Sequence, residues 1–310
     1  MITRSGVPVA SRSAVAATPL WDVSLSGSYP DFYSGGGVAL LPIAGSVAEV
    51  EPCTPVHPPR PRIHAEVGHY RVRLAESVVD RDAICRLRFK VFNIELGKGL
   101  ESSYETGLDT DQFDLFCEHL LVEDKADGRI VGTYRMQSGA TARENLGYYS
   151  EQEFDLSIYE SMRGEILELG RAAIDREHRT PEVLTLLWRG IAQYATDMQL
   201  RYLIGCSSLN SVDPREGWGM YRQLGNYRVA QELETIPMRG FECPDAVVNE
   251  SSEEAVKVPK LLRTYLAIGA RICSAPAWDK EFGTIDFLTL LDLRTISSSA
   301  RNRFLAPLTQ

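Results

Sequence analysis

The sequence lacks the patterns of metal-binding and disulfide-stabilised proteins. Its six cysteines are scattered, no two of them form a C-x-x-C pair, and its five histidines are not clustered. Structural zinc sites need closely spaced ligands, and small secreted domains use a dense cysteine framework. The pattern therefore argues against both classes, predicts no metal site, and favours a reducing compartment such as the cytoplasm.

Long apolar runs and an excess of positive charge are also missing. No run approaches the roughly 18 residues that a membrane-spanning helix needs, and the N-terminus lacks the continuous apolar core of a secretory signal. The net charge is −9, whereas nucleic-acid-binding domains are usually basic. We therefore expect a cytoplasmic protein that does not bind nucleic acid.

Residues 1–65 differ in composition from the rest of the chain. They are rich in Ser, Ala, Gly and Pro, with three consecutive glycines at 35–37 and four prolines between 55 and 61. Such a composition is typical of disordered segments and stiff linkers. We predict a disordered or linker-like leader over 1–65 and one folded domain over 66–310.

Strand and helix patterns alternate through the folded part. Asp127-Gly128 is typical of a hairpin turn, Asp80 is the predicted N-cap of the first helix, and Ile84, Leu87, Val91 and Ile94 form its predicted core stripe. The order of elements predicts an α/β domain with a mixed sheet. The predicted strands are 70–74, 118–124, 129–137, 165–175, 202–206 and 282–292, and the predicted helices are 81–96, 182–199, 214–224 and 258–273.

The predicted strand at 165–175 carries two charges where apolar residues are expected. Glu168 and Arg171 lie within Leu167-Glu168-Leu169-Gly170-Arg171, and an unpaired buried charge costs several kcal/mol. Strict alternation would place the two side chains on opposite faces, although Gly170 permits a bulge that redirects one of them. Glu168 is therefore either a functional carboxylate or the partner of Arg171.

A second charged group lies upstream on the first helix and in the loop after it. Arg88, Phe92 and Glu95 share one side of the helix, and Asp111 follows the loop. Arg88 fits a substrate-binding role and a surface ion pair with Glu95 or Asp111 equally well. For Phe92, packing in the core is the favoured interpretation, and a position in the wall of an acyl pocket is the alternative.

Together these segments resemble the GNAT superfamily, and within it the branch of acyl-carrier-protein-dependent N-acyltransferases that make ornithine lipids and other N-acyl amino acids. The resemblance covers about residues 68–300 and depends on the shared order of motifs that are individually weak. The matching segments are Leu87-Arg88-Phe89-Lys90-Val91-Phe92 with Glu95, Asp111-Gln112-Phe113-Asp114, Leu167-Glu168-Leu169-Gly170-Arg171, Leu186-Leu187-Trp188-Arg189-Gly190-Ile191, Tyr202-Leu203-Ile204-Gly205-Cys206-Ser207-Ser208-Leu209, Pro276-Ala277-Trp278-Asp279 and Phe282-Gly283-Thr284.

The resemblance implies a single GNAT-type domain, with a centrally splayed mixed sheet flanked by helices and a bulge on the charged strand. It implies that Glu168 deprotonates the attacking amine, as a nearby carboxylate can. A guanidinium binds a carboxylate bidentately, so Arg171, Arg88 and Arg135 compete to hold the acceptor carboxylate. Glu95 and Asp111 are the predicted partners of a cationic acceptor side chain.

Tyr221 and Gly225 match the Tyr-x-x-x-Gly element of the superfamily. The resemblance implies that Tyr221 protonates the leaving thiolate, and the alternative is an ordinary packing tyrosine with its hydroxyl in water.

The superfamily's pyrophosphate-binding loop has no counterpart here, because residues 179–184 contain no glycine. This departure favours a phosphopantetheine arm, delivered by an acyl carrier protein, over coenzyme A. Carrier proteins are acidic, so docking requires a basic patch, for which Arg176, Arg179 and Arg189 are the candidates. A solvated charged face is the competing interpretation.

The predicted function is transfer of a fatty acyl group from acyl carrier protein to the α-amine of an amino acid, with ornithine favoured by the resemblance alone. Tyrosine, glycine and glutamine are alternative acceptors, and an acyl-homoserine lactone-type signal synthase or a non-catalytic GNAT binding module are alternative functions. No bound cofactor is predicted.

The basic, apolar helix at 258–273 is compatible with peripheral contact with the inner face of a membrane, although a helix that covers the core is favoured.

Overall fold

A computed structural model describes residues 59–246 and 256–304 of the chain. Within them, nine strands form one mixed sheet: β1 (His64–Val67), β2 (Tyr70–Leu74), β3 (Glu118–Asp124), β4 (Ile130–Ser138), β5 (Ile166–Ile174), β6 (Tyr202–Leu209), β7 (Arg271–Ile272), β8 (Ala277–Asp279) and β9 (Thr284–Asp292). Their order is β1-β2-β3-β4-β5-β6-β9-β7, with β8 also paired to β9. Most of the predicted leader lies outside the described residues, and β1 begins just before the predicted domain start at 66.

Seven α-helices, in the same described residues, flank the sheet. They are α1 (Val78–Phe89), α2 (Ser103–Thr106), α3 (Gly139–Glu144), α4 (Pro181–Asp197), α5 (Pro214–Gln223), α6 (Lys260–Ile268) and α7 (Ser298–Phe304). The fold class predicted from the sequence is confirmed: helices cover both faces of a mixed α/β sheet. Helix α6 is shorter than the predicted 258–273, because Gly269 ends it in a left-handed conformation (φ 113°) and β7 follows.

Helix α4 forms the larger part of the core with one face of the sheet. Its apolar stripe of Val183, Leu186, Leu187 and Ile191 is fully buried, at the spacing that one face of an α-helix requires. They pack in one cluster with Val72, Leu120 and Val122 of the adjoining strands. Burial of each such aliphatic side chain contributes about 1.5–3 kcal/mol. Helix α1 covers the opposite face, where Leu87 packs with Ala173.

The first helix corrects two predictions. Its N-cap is Ser77, and Asp80 is instead the third helical residue, whose side chain completes a capping box with Ser77. Ile84, Leu87 and Val91 are buried as predicted, but Ile94 is exposed. The reason is that residues Lys90–Glu95 form a π-helical continuation of α1. The wider turn rotates every later side chain away from the position that a regular α-helix would give it.

Strands β5 and β6 form the parallel pair at the centre of the sheet, and they soon separate. Their ladder runs only from Ile166 with Tyr202 to Glu168 with Ile204. Beyond it, β5 continues beside β4 while β6 continues beside β9. The central splay that the resemblance implied is therefore present, and it opens directly after Glu168.

A bulge redirects β5 just beyond this point. Its register with β4 shifts between Thr133, which pairs with Ala173, and Arg135, which pairs with Gly170. Arg171 occupies the bulge with φ 48°, a left-handed conformation that non-glycine residues adopt rarely and at a cost of about 1–3 kcal/mol. The bulge was expected from Gly170, but Arg171 is the residue that takes the unusual backbone angle. Gly170 is not among the glycines with a positive φ.

Candidate active site

A cavity of about 310 Å³ occupies the split between β5 and β6. It reaches both faces of the sheet, because alternate residues of the two strands line it. Leu169 and Leu203 belong to the face packed against α4, whereas Glu168 and Cys206 point to the other face, as strand alternation requires. One half of the cavity is therefore largely apolar and the other half is charged and polar.

Glu168 lies in the polar half and is held by a turn at residues 149–152. Its Oε2 accepts a hydrogen bond from the Tyr149 amide at 2.8 Å, and its Oε1 accepts from the Ser150 amide at 2.7 Å and the Ser150 hydroxyl at 2.6 Å. Burial raises its pKa above the ordinary value, and the Ser150 and Tyr149 hydrogen bonds offset part of that rise. Glu168 is thus a positioned carboxylate with an elevated proton affinity, and Arg171 is not its partner.

Three arginines and three aspartates form a buried network beside Glu168. Arg88 is fully buried and binds Asp109 and Asp114, with its Nε 2.7 Å from Asp109 and its Nη1 2.7 Å from Asp114. The predicted surface ion pair of Arg88 with Glu95 or Asp111 is therefore wrong. The carboxylates raise the pKa of the Arg88 guanidinium despite its burial, so its charge is fixed.

The other two arginines of this network share Asp111. Arg135 Nη1 lies 2.6 Å from Asp111 Oδ1, and Arg171 Nη2 lies 2.9 Å from Asp111 Oδ2. Although burial raises the pKa of Asp111, the two guanidinium groups hold it below its ordinary value. Asp111 is thus an ionised bridge between two positive charges.

Arg171 is the arginine of this network that has spare hydrogen-bonding capacity toward the cavity. Its guanidinium lies over the rings of Tyr149 and Phe282, 4.9 and 4.3 Å from their centroids. Within the described residues its side chain makes one hydrogen bond, from Nη2 to Asp111, and its buried Nε lies 3.5 Å from Asp109 Oδ1. The left-handed backbone and the two aromatic contacts hold the side chain against the cavity wall.

The two remaining residues predicted from α1 lie at the edge of this site. Phe92 is half-buried, packs beside Leu87 and Val91, and also lines the cavity. Glu95 does not line the cavity and forms a bidentate ion pair with Arg179, with N–O distances of 2.6 and 2.8 Å. The structure thus places Phe92 in the site and Glu95 outside the cavity wall.

Tyr221 lies on α5 and is not among the residues that line the cavity. It is half-buried, with its ring against Trp218 and with the Arg228 guanidinium 3.8 Å from its centroid. Burial raises its pKa. The structure does not bring Tyr221 together with Glu168, and its role as the acid stays a prediction.

The three predicted carrier-protein contacts occupy different positions around the start of α4. Arg176 is exposed, Arg179 is exposed and paired with Glu95, and Arg189 is half-buried along the helix. Thr180 caps α4 by accepting a hydrogen bond from the Val183 amide, and Pro181 has no N–H at all. Two of the backbone N–H groups at the start of α4 therefore cannot donate to a pyrophosphate.

Sequence reasoning missed a second charged cluster in the polar half. The carboxyl groups of Glu153, Asp279 and Asp286 lie within 4.8 Å of one another, and all three residues are buried. Burial, together with the neighbouring carboxylates, raises the pKa of Glu153 well above its ordinary value. Asp279 and Asp286 are seven residues apart on two paired strands, whereas Glu153 lies far upstream, so no local spacing marks the whole cluster. Only the pairing of β8 with β9 brings two of them together.

The apolar half of the cavity lies between β4, α4 and α6. Tyr134, Trp188, Leu262 and Tyr265 line it. The hydroxyls of Tyr134 and Tyr265 bond to each other, so neither presents an unsatisfied polar group to the apolar space. Leu262, Leu266 and Ile268 are buried, so α6 covers the core, as the sequence favoured. In the described residues no helix is both long and apolar enough to cross a bilayer.

Comparison with known proteins now assigns the family. The acetyltransferase (GNAT) domain family matches residues 87–189. An L-ornithine N(alpha)-acyltransferase of Brucella abortus (strain 2308) is 32% identical over 76% of this chain and 89% of that protein. A second, of Rhizobium meliloti (strain 1021), is 30% identical over 79% of this chain and 88% of that protein. The chain belongs to the L-ornithine N(alpha)-acyltransferase family. It is therefore an acyltransferase, as the resemblance implied.

Among solved structures, the chain is similar to FeeM, an N-acyl amino acid synthase from uncultured soil microbes. The TM-score is 0.45 and the sequences are 13% identical, over 76% of this chain and 94% of that chain.

Proposed function

We propose that this chain transfers a fatty acyl group from acyl carrier protein to the α-amine of ornithine. The observation that carries the proposal is Glu168, a buried, hydrogen-bonded carboxylate at the split where an apolar chamber meets a polar one. The names of its relatives, L-ornithine N(alpha)-acyltransferases, support the acceptor. An acyl chain and a charged amino acid would meet at this split.

Glu168 is the proposed base. The acceptor amine arrives as an ammonium and must lose a proton before its nitrogen can attack the thioester carbon. Burial raises the pKa of Glu168. The proton affinity of this carboxylate is therefore closer to that of an amine than the proton affinity of an ordinary carboxylate is, which favours general-base catalysis. The hydrogen bonds from Ser150 and Tyr149 fix its orientation.

Arg171 is the proposed partner of the acceptor carboxylate. Arg88 is engaged by two aspartates, and Arg135 is buried between Asp111 and Asp114. Arg171 lines the cavity, and its one side-chain hydrogen bond within the described residues is from Nη2 to Asp111. A guanidinium with free donors is suited to bind a carboxylate.

The donor's acyl chain is proposed to occupy the apolar chamber of Tyr134, Trp188, Leu262 and Tyr265. Its thioester would then lie in the split. Beyond Glu168, β6 no longer supplies ladder partners to β5, so backbone N–H groups on that edge of β5 are the proposed donors to the oxyanion of the tetrahedral intermediate.

Collapse of that intermediate breaks the carbon–sulfur bond, and the thiolate must take up a proton. Tyr221 was predicted to supply it, but it does not line the cavity. That role would require α5 to move toward the split. The alternative source is the acceptor itself, whose ammonium loses two protons as it becomes an amide N–H. Glu168 passes one of them to the thiolate without a further acid, and the other is released to solvent.

A carrier-protein donor is favoured over coenzyme A for two reasons. The start of α4 has a capped amide at Val183 and a proline at 181 in place of a pyrophosphate cradle. Arg176 is exposed near the same end of the helix and would meet an acidic partner.

The reaction would take place in the cytoplasm, and its lipid-like product would favour the inner face of the membrane.

The test is a donor–acceptor matrix with the purified protein, read by mass spectrometry. The donors are palmitoyl-acyl carrier protein, palmitoyl-coenzyme A and acetyl-coenzyme A, and the acceptors are ornithine, tyrosine, glycine and glutamine. We expect N-acylornithine from the carrier-protein donor. Turnover of acetyl-coenzyme A alone, or consumption of S-adenosylmethionine with a lactone product, would overturn the proposal.

A further inference from the structure

The buried acidic cluster has a defined place in the fold. Glu153 directly follows the turn that holds Glu168, Asp279 ends β8, and Asp286 lies on β9 opposite Ala277. The exposed fractions of these residues are 2%, 5% and 3%. Three ionised carboxyl groups within 4.8 Å of one another in such a setting would repel strongly, so the cluster holds a proton when it is empty and can exchange it for a bound cation.

Within the described residues no ion pair joins this cluster to a cation, although the charge of Arg171 opposes part of the rise in the pKa of Glu153. Asp279 Oδ1 accepts hydrogen bonds from the Glu281 and Phe282 amides. Both carboxyl oxygens of Glu153 and the Oδ1 of Asp286 receive no hydrogen bond from any donor in the described residues. Arg171, the nearest arginine of the other network, donates to Asp111 instead. The cluster therefore differs from the Arg–Asp network, in which three positive charges balance three negative ones.

The cluster forms part of the active-site wall. Asp279 and Asp286 line the same cavity as Glu168. Glu153 and Asp279 also line an adjoining recess of about 180 Å³, together with Tyr149 and Trp278. Asp279 and Asp286 thus face the space where the polar substrate would lie, and Glu153 faces the adjoining recess.

A short chain of contacts connects the cluster to Glu168. The Ser150 hydroxyl donates to Glu168, and the Glu153 amide donates to the Ser150 carbonyl. Cys206 lies between them, with its Sγ 3.5 Å from the Ser150 hydroxyl. Burial is the main cause of its raised pKa, and the charges of Glu153, Asp286 and Glu168 raise that pKa further. A small amino acid whose α-amine meets Glu168 can therefore extend its side chain toward the cluster.

We propose that Glu153, Asp279 and Asp286 form the subsite for the side-chain ammonium of the acceptor. This inference rests on the proposed function and specifies what selects the substrate. A primary ammonium presents three donors around one point charge, which suits three converging carboxyl groups. A guanidinium is a planar fork that needs a bidentate partner. Glu95 and Asp111, the partners predicted from the sequence, are each bound to arginine.

The subsite predicts strong discrimination against a neutral side chain. Norvaline has the carbon chain of ornithine without the terminal amine, so it would leave the buried carboxyl groups without a cation. A site built to bond a polar group rejects an analogue that lacks the group by as much as 10⁴-fold. We expect the wild-type kcat/KM to favour ornithine over norvaline by at least 100-fold.

The experiment compares Glu153→Gln and Asp286→Asn with wild type, using one acyl donor and both acceptors. Each variant keeps the shape of its side chain and removes its charge. We expect the KM for ornithine to rise at least tenfold and the ornithine-to-norvaline ratio to fall at least tenfold, while the KM for the acyl donor is unchanged. Asp197→Asn, at an exposed position on α4, is the matched control and should keep wild-type kinetics.

Calorimetric titration of ornithine into the free proteins gives a second readout that does not need turnover. Wild type should bind ornithine, and both variants should bind it at least tenfold more weakly, with thermal unfolding measured to verify that each is folded. Unchanged ornithine binding and discrimination in both variants would overturn the subsite while the proposed function stood. Loss of discrimination in Glu95→Gln instead would place the subsite at the position predicted from the sequence.

Two further outcomes separate this inference from its premise. If wild type acylates no amino acid, the proposed function fails and the subsite fails with it. If Ca²⁺ or Mn²⁺ binds wild type tightly, Asp286→Asn abolishes that binding, and ornithine affinity is unaffected, then the cluster is a metal site and the ammonium subsite is wrong.

Discussion

Gly205 of β6 lies so close to Leu169 of β5 that a β-carbon added to Gly205 would be 2.2 Å from the Leu169 carbonyl oxygen. No side chain fits in that space. The two strands therefore remain close just beyond the end of their ladder, and the cavity between them is narrow at this point.

Gly205→Ala should force the two backbones apart. We expect the free energy of unfolding to fall by about 1–3 kcal/mol, as overpacking usually costs, and turnover to fall because the thioester is no longer held against Glu168. Urea denaturation and steady-state kinetics measure the two effects. Gly164→Ala is the control, since a β-carbon there meets no atom within 4 Å. Equal stability of the two variants would contradict the close approach.

Glu168→Gln should keep the fold and lose the base. We expect kcat to fall about 10²–10⁴-fold, the usual contribution of a positioned base, and the acidic limb of the pH profile of kcat/KM to disappear. In wild type the apparent pKa of that limb should lie above the ordinary pKa of a glutamate, because burial raises the pKa of Glu168. Glu165→Gln, at an exposed position before β5, should behave as wild type. An active Glu168→Gln would exclude base catalysis by this residue.

Tyr221→Phe separates the two sources of the thiolate's proton. Because Tyr221 does not line the cavity, we expect kcat to stay within about threefold of wild type when its hydroxyl is removed, well below the 10²-fold effect of a general acid. A loss of 100-fold, with an alkaline limb removed from the pH profile, would establish Tyr221 as the acid and would require α5 to move during turnover.

Arg88→Met should destabilise the protein much more than the loss of a nearby surface ion pair. Removing Arg88 takes away the nearest guanidinium of buried Asp109 and Asp114 and leaves them the longer contacts with Arg171 and Arg135, at 3.5 and 3.2 Å. Breaking a buried pair costs about 3–5 kcal/mol. Arg86→Met, on the same helix, removes an exposed ion pair with Asp82 and should cost much less, because surface ion pairs contribute little to stability. Chemical denaturation of both variants tests the difference. Similar losses would mean that the network contributes little to stability.

Asp286 predicts how stability depends on pH. Burial raises its pKa from 3.8 to about 6, so between these values the folded protein holds a proton that the unfolded chain has released. Its contribution to the free energy of unfolding therefore falls as the pH rises from about 4 to 6. Carboxyl groups whose pKa is lowered by arginine, such as Asp80 and Asp114, act in the opposite direction and at lower pH.

Asp286→Asn removes this titration. Relative to wild type, the variant should gain stability progressively between pH 4 and pH 7, as measured by urea denaturation at fixed ionic strength. Asp197→Asn should show no such trend. A difference between Asp286→Asn and wild type that is constant over this range would contradict the raised pKa.

Much of the fold could be predicted from the sequence because local patterns determine it. The stripe of α4, the Asp127-Gly128 turn and the strands around it follow from periodicity and turn chemistry. Ile94 was misplaced because nothing in the local pattern marks the change from an α-helical to a π-helical turn after Phe89. The N-cap was misassigned because Ser77 and Asp80 form a reciprocal capping box, in which either residue resembles the cap.

The candidate site was predicted only in part. Glu168 and Arg171 were identified because a charge in an apolar strand is a local anomaly. The ion-pair partners of Arg88 depend on how the loop after α1 folds back, and Asp109 carries no distinguishing pattern of its own. Glu153 is distant in the sequence from the β8–β9 pair that carries Asp279 and Asp286, and each of the three looks like an ordinary polar residue in its own context. Long-range pairing is what makes them a cluster.

The split between β5 and β6 places the two ends of the proposed product on opposite faces of the sheet. The acyl tail would lie in the apolar chamber with Trp188, and the amino-acid head would lie beside Glu168. After the amide bond forms, the two halves are one molecule threaded through a narrow gap. It can leave only if one end passes between the strands or the strands separate. Release should therefore slow as the acyl chain lengthens, and departure of the product, rather than bond formation, would then limit turnover.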